Sequence, residues 1–463
     1  MTQTQQQGPA EQVDVVVIGM GPGGEEVAGR LAESGLAVVG VEKELVGGEC
    51  PYWACVPSKM IIRGANLVED GRRIEGVSGT ATVTADFGPV ARRVRAEATD
   101  DWDDQVAADR FEKKGGRLVR GRASLAGPGR VAVGDRTFAA RRGVVVATGT
   151  SPVVPPIDGL SDVPYWTNRE AISTLDRPES LVVLGGGAVG LELAQAFSRF
   201  GSRVTVVESM DRILAAEEPE SSEIVAKALA ADGVDVRTGA KAVRVSHDGD
   251  GTAVGLEDGT TVRGGNLLVS VGRRANLGDL GLDTVGLDPA SKAIEVDERM
   301  RAGDGLWAVG DVTGKGAFTH VAMYQAGIAI ADILGEDGDP ADYRGLSRVT
   351  FTDPEVGSVG LTERAAREAG RTVRTGTSQV SSSARGWIHG PGNDGVIKLV
   401  VDADEDVLVG ATSAGPWGGE VLAMLTLAVH ARVPIGRLRT MIYAYPTFHR
   451  GVLDALADMG ARD

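Results

Sequence analysis

Positive charge is in short supply in this sequence: 48 lysines and arginines stand against 64 acidic residues, a formal net charge of −16. Phosphate-backbone affinity rests on clustered Lys and Arg, so no nucleic-acid partner is expected, and an acidic membrane surface is disfavoured for the same reason. No run of about 18 apolar residues occurs, so no segment is expected to span a bilayer. The start, MTQTQQQGPAEQ, lacks a basic region leading into an apolar stretch and reads as a short disordered tail on a cytoplasmic protein. Cysteine is scarcer still, with two residues in 463, and aromatics reach only 4%. Beside 65 glycines, so few aromatics fit an α/β chain with many strand-to-helix turns better than an all-β sandwich. The length exceeds what one hydrophobic core organises, so roughly two to four domains are expected.

An approximate duplication runs through the pattern. Residues 13–18 form a short apolar run ending in glycines, followed by a helical stretch to about residue 35 and a second apolar run at 37–41. That is strand, turn, helix, strand. The same order returns at 181–184, through a helix to about residue 200, and at 203–207. Between the two halves, residues 60–114 are polar and helix-compatible, 117–133 alternate like strands, and 143–147 form another apolar run. Residues 276–301 are loop-rich, 306–309 read as a buried strand and 321–334 as a helix. From residue 347 onward, β-like stretches at 395–401 and 407–414 precede a helix at 419–431, as in a separate α+β domain.

Both glycine turns are G-x-G-x-x-G: Gly19-Met20-Gly21-Pro22-Gly23-Gly24 and Gly185-Gly186-Gly187-Ala188-Val189-Gly190. The first glycine allows the tight turn, the second lets backbone approach a pyrophosphate, and the third permits close helix–strand contact. The helix amino terminus supplies amide donors and the positive end of a dipole. Each turn follows an apolar strand, opens a helix, and is followed by a second strand ending in a carboxylate, Glu42 and Glu208, where a ribose partner belongs. Two dinucleotide sites are therefore expected, at Gly19, Gly21 and Gly24 and at Gly185, Gly187 and Gly190. Glu208 would repel the 2′-phosphate of NADP, so NAD is preferred, although Arg203 and Arg212 lie nearby and could accommodate a phosphate.

The two cysteines sit in Gly47-Gly48-Glu49-Cys50-Pro51-Tyr52-Trp53-Ala54-Cys55-Val56-Pro57-Ser58-Lys59. Random placement would bring two cysteines this close only about 2% of the time. On a regular helix a five-residue offset turns the side chains about 140° apart, too far for a disulfide, but Pro51 and Pro57 would disrupt such a helix. Three readings stand: two buried thiols, a metal site, or a redox-active disulfide. Two thiolates without neighbouring histidines fall short of a zinc ligand set, so no metal site is expected, and in a cytoplasmic protein a pair that opens and closes is favoured over a structural bridge.

On these residues the chain resembles the class I pyridine nucleotide-disulfide oxidoreductases, which include dihydrolipoyl dehydrogenase, glutathione reductase and mercuric reductase. The likeness covers nearly the full length. It rests on the first glycine turn with Glu42, the cysteine segment through Lys59, Ala147-Thr148-Gly149, the second turn with Glu192, Gly272-Arg273, Gly310-Asp311-Val312 and Phe351-Thr352-Asp353-Pro354-Glu355-Val356. The resemblance implies two Rossmann-like dinucleotide-binding domains and a carboxy-terminal α+β dimerisation domain. The expected boundaries are 1–155 for FAD, 156–275 for NAD, 276–345 for the return to the FAD domain and 346–463 for the interface of a homodimer. FAD and NAD are the implied cofactors. Thr148, Gly149, Gly272, Arg273, Gly310 and Asp311 would belong to the cofactor sites, Asp311 on the flavin's ribityl chain. Lys59 and Glu192 would form an ion pair near the flavin. Electrons would pass from the nicotinamide through flavin to a Cys50–Cys55 disulfide, with Cys55 on the flavin side and Cys50 meeting a small-molecule acceptor.

The sequence also departs from the family pattern. Family disulfide reductases carry His-Pro-Thr followed by Glu, the histidine being contributed by the partner subunit and shuttling the thiol proton, whereas here the segment is Tyr445-Pro446-Thr447-Phe448-His449-Arg450. A phenol with a pKa of roughly 10 is a poor base at neutral pH beside an imidazole at roughly 6.5. His449 is a candidate substitute, and Arg450 would favour an anionic acceptor. Mercury reduction is disfavoured because no third cysteine exists. Tyr52 and Trp53 between the cysteines would either stack on a flat acceptor such as a quinone or wall the pair off. The leading expectation is an NADH-driven flavin-disulfide reductase. The alternatives are a dihydrolipoyl dehydrogenase of a 2-oxo acid dehydrogenase complex, a quinone or metal-ion reductase with an idle disulfide, and a redox-sensing scaffold.

Overall fold

The computed structural model describes residues 10–249 and 251–460. Most of the expected disordered tail lies outside the described residues. Its last part does not behave as expected, since the first strand already begins at Glu11.

The chain forms two compact units. The first comprises Met1–Pro57, Arg93–Val153 and Arg273–Asp342, and the second Ser58–Arg92, Val154–Gly272 and Tyr343–Asp463. In the first unit, Glu11–Ile18 pairs in parallel with Val38–Glu42 on one side and Arg136–Val146 on the other; Arg117–Arg120 and Leu306–Ala308 extend the sheet outward. Val15, Val16, Val17 and Ile18 are all buried, as parallel strands covered on both faces require. Each such side chain contributes about 1.5–3 kcal/mol by leaving water. Helices Pro22–Glu33 and Thr319–Leu334 pack on one face through Val27, Ala28, Leu31, Ala326 and Ile330. Residues 117–133, expected to alternate like strands, form three short ones, and 276–301 hold one short 3-10 turn, Leu282–Val285, before the strand Arg301–Gly303 begins.

The second unit repeats the theme with a parallel sheet in the order Asp235–Arg237, Arg203–Val207, Ser180–Leu184, Asn266–Val269. A three-stranded antiparallel sheet, Ala242–Asp248, Gly251–Leu256 and Thr261–Gly264, follows it. The same unit carries a five-stranded antiparallel sheet from Ser347–Thr350 to Val407–Gly415, covered by helices Gly418–His430 and Gly451–Asp458. The fold is thus α/β, with two Rossmann-type halves and a carboxy-terminal α+β region. The stretch 60–114 is less uniformly helical than expected: after Cys55–Arg72 the backbone is irregular to about residue 87, and Val94–Ala98 is a π-helical turn.

Candidate active site

In the first glycine turn, Gly19 adopts φ +93°, and a Cβ there would lie 2.4 Å from Ala147 O. At Gly24 a Cβ would lie 2.0 Å from Gly19 O, so only glycine lets the helix approach. Gly21 has no such neighbour, its nearest contact being 4.0 Å away, which leaves the turn open to a ligand. The Met20 amide donates to Glu42 Oε2 at 2.7 Å and the Glu44 amide to Glu42 Oε1 at 2.7 Å. Burial pushes the Glu42 carboxyl above the usual range, against the pull of those amides. Thr148 Oγ1 is buried without a hydrogen-bond partner. Beside it, Thr150 Oγ1 donates to Asp311 Oδ2 at 2.7 Å, and Gln325 Oε1 accepts from the Gly310 amide at 2.6 Å, fixing the turn that presents Asp311. An uncovered glycine turn and an orphaned hydroxyl together fit a flavin dinucleotide.

The second turn is wired the same way. Gly185 has φ +105°, Gly190 would press a Cβ to 2.5 Å of Gly185 O, and Gly187 opens onto empty space. The Gly186 amide donates to Glu208 Oε2 at 2.6 Å and the Met210 amide to Glu208 Oε1 at 2.7 Å. Arg212 gives its donors to the carbonyls of Leu214, Ala215 and Glu217 and to Ser222 Oγ, while Arg203 pairs with Glu179 at 3.1 Å. Gly272 takes φ +127° with no atom near a Cβ.

Cys50 lies in the short helix Glu49–Tyr52 and is half-buried; Cys55 is exposed and opens the helix Cys55–Arg72. The helical break between them falls at Trp53, φ −129°. Pro57 does not break the helix as expected: it stands in the first turn, where a missing N–H removes no helical bond. Tyr52 is buried rather than offered to a flat acceptor, and Trp53 stacks on Trp102 with centroids 5.2 Å apart. Cys55 Sγ lies 3.5 Å from Thr319 Oγ1. Arg273 donates to Thr150 Oγ1 and Thr150 O, each at 2.8 Å, and reaches Glu49 at 3.3 Å, so its guanidinium braces the segment next to Cys50.

In the second unit, Lys59 Nζ donates to Glu192 Oε2 at 2.7 Å. The Phe351 amide donates to Glu192 Oε1 at 2.8 Å, and the Phe351 ring lies under the lysine ammonium, 4.6 Å to its centroid.

The pyridine nucleotide-disulphide oxidoreductase family matches residues 13–326, and its dimerisation domain matches 346–456. The chain belongs to this family. A dihydrolipoyl dehydrogenase of Chlorobaculum tepidum is 35% identical, over 97% of this chain and 98% of its own. A mercuric reductase of Staphylococcus aureus is 30% identical, over 95% and 81%. The solved structure of the HOCl-induced flavoprotein disulfide reductase RclA from Escherichia coli gives a TM-score of 0.84 at 26% identity, over 96% and 99%. This oxidoreductase is accordingly a flavin-dependent enzyme whose family uses FAD and NAD(P).

In this family member Tyr445 is exposed, and the Arg450 guanidinium sits 5.4 Å from the centre of its ring. His449 Nε2 is 3.4 Å from Thr447 Oγ1, and its ring is 6.0 Å from that of Tyr443. Sequence reasoning did not single out Thr319, Trp102 or Gln325, and it quoted Phe351 only as part of a motif. For Phe351 the signal was present, since its motif carries both the amide and the ring that meet the Lys59–Glu192 pair. For Thr319 no local signal exists.

Proposed function

We propose that this enzyme uses NADH in preference to NADPH, and that it reduces a small disulfide or other small acceptor through a redox-active Cys50–Cys55 disulfide, as a homodimer. The donor preference rests on Glu208, whose carboxylate stands at the end of its strand against the Gly186 amide, where a 2′-phosphate would meet like charge. Of the two cations that could have offset that repulsion, Arg212 gives its terminal nitrogens to main-chain carbonyls and Ser222 Oγ, and Arg203 pairs with Glu179. The homodimer is supported by the dimerisation-domain match and by exposed apolar side chains within it, Trp387, Leu427 and Ile442.

Bound FAD supplies a two-electron relay between nicotinamide and sulfur. Gly21 and Gly149 leave backbone open to it, Thr148 Oγ1 offers a hydrogen bond, and Thr150 and Gln325 orient Asp311 and the turn that carries it. In balance, NADH, a proton and the oxidised pair give NAD⁺ and two thiols. With a disulfide acceptor, the Cys50 thiolate attacks one acceptor sulfur and expels the other as a thiolate. The Cys55 thiolate then attacks Cys50 Sγ, releasing the second acceptor thiolate and restoring the protein disulfide; the two thiol protons leave with the products.

Anaerobic titration of the purified protein tests this. NADH is expected to give a long-wavelength charge-transfer band after two electrons, lost in Cys55→Ser, with NADPH at the same concentration far less effective. No band with NADH in the unsubstituted protein removes the redox pair from the reaction. A second reading, dihydrolipoyl dehydrogenase, is favoured by the 35% identity to an enzyme of that name. Turnover of dihydrolipoamide with NAD⁺ at rates matching the best acceptor would establish it, and Tyr445 in place of a histidine predicts that those rates are low.

A further inference from the structure

We infer that Thr319 is a positioning residue for the flavin-side sulfur, its hydroxyl donating the hydrogen bond that holds Cys55 as a thiolate. The inference rests on the proposed redox role of the Cys50–Cys55 pair. Thr319 Oγ1 lies 3.5 Å from Cys55 Sγ. A thiolate carries no proton, so in that state the hydroxyl is the donor. Each residue is the first of its helix, Cys55 of Cys55–Arg72 and Thr319 of Thr319–Leu334. Two helix amino termini, each with partial positive charge and outward amides, therefore meet at one sulfur.

The threonine is not spent on its own helix. A hydroxyl caps a helix from the N-cap position, and here that position belongs to Phe318, which has no acceptor to offer. Thr319 is one residue further on, with its oxygen against the sulfur. This placement answers the departure at Tyr445. A phenol gives a thiolate no cationic partner, and the Thr319 hydroxyl is a donor that already touches the Cys55 sulfur.

The test uses FAD-loaded Cys50→Ser protein, in which Cys55 is the only thiol. The rate of alkylation by iodoacetamide against pH gives the Cys55 titration midpoint. Adding Thr319→Val is expected to raise that midpoint by about one pH unit, because a hydrogen bond to the charged form is lost. Thr319→Ala is expected to behave as Val does and serves where Val disturbs packing, while Thr319→Ser keeps the parental midpoint. Val and Ala variants titrating with the parent would overturn the inference, as would a Ser variant shifted as far as Val. The redox role is read separately, by counting alkylated thiols in unsubstituted protein before and after anaerobic NADH, so each idea can fail without the other.

Discussion

Thr148 carries a hydroxyl whose oxygen is buried and has no hydrogen-bond partner in the protein. A fold tolerates such a group at a cost of about 1–3 kcal/mol, and beside the open turn at Gly21 that cost is repaid only when a ligand accepts or donates there. The consequence has opposite signs in two states. Thr148→Val, which keeps the shape and removes the unmet hydroxyl, is expected to stabilise apoprotein by about 1 kcal/mol in denaturant unfolding. The same change should speed FAD release from holoprotein about tenfold, the kinetic counterpart of one lost hydrogen bond. Apoprotein and holoprotein both weakened would mean that the hydroxyl has a protein partner after all. The carboxylates Glu42 and Glu208 are the contrasting case. They were legible because a motif specifies both residue type and distance from the glycines, and each indeed binds the amide just after its first glycine. Thr148 was legible only through the family resemblance, since nothing in local pattern marks an unpartnered oxygen.

At the scale of elements, the segment that carries the cysteines is held from outside. The Asp104 carboxylate accepts from the Val46 amide at 2.5 Å and from both terminal nitrogens of Arg120 at 2.6 and 2.7 Å, tying the loop before Cys50 to a strand and to the start of a helix. Burial works against the charged form, but Arg120 and the Val46 amide outweigh it and hold Asp104 below the usual aspartate value of 3.8. A carboxylate so lowered adds stability above its unfolded pKa and loses it as pH falls through the folded one. Asp104→Asn is therefore expected to cost about 2 kcal/mol at neutral pH, with the difference from the unsubstituted protein shrinking below about pH 3.8. A penalty that stays constant down to pH 3 would show that the charge does not matter. None of this was readable in the sequence, because Val46 and Asp104 are 58 positions apart and no periodicity links them. The strands and helices around the glycine turns were readable, since buried parallel strands write themselves as unbroken apolar runs. A break between Cys50 and Cys55 was expected from Pro51 and Pro57 with no residue assigned to it; the helix is broken there, the chain turning at Trp53, while Pro57 falls in the first turn of the next helix, where a helix accepts it.

For the whole molecule, the question is where the apolar surface of residues 346–456 goes. Ile442 is 96% exposed, Trp387 78% and Leu427 63%, with Tyr445 at 70% three residues beyond Ile442. Single exposed apolar residues are ordinary, but these lie in the segment that matches the dimerisation domain. The sequence named this region an interface through the family resemblance; composition alone would not have done so, because 42% hydrophobic content is normal for a single soluble core. If a second copy covers Ile442, a carboxylate placed there is desolvated without a partner, at a cost of several kcal/mol per interface and twice over in a symmetric pair. Ile442→Glu is expected to shift sedimentation from dimer to monomer at micromolar concentration while leaving the far-ultraviolet spectrum and bound FAD unchanged. Because the resemblance assigns position 445 to the partner's disulfide, acceptor turnover should fall at least about tenfold in the monomer, whereas reduction of the bound flavin by NADH should persist. An Ile442→Glu protein that stays dimeric and fully active would place the interface elsewhere on this region and remove Tyr445 from the reaction.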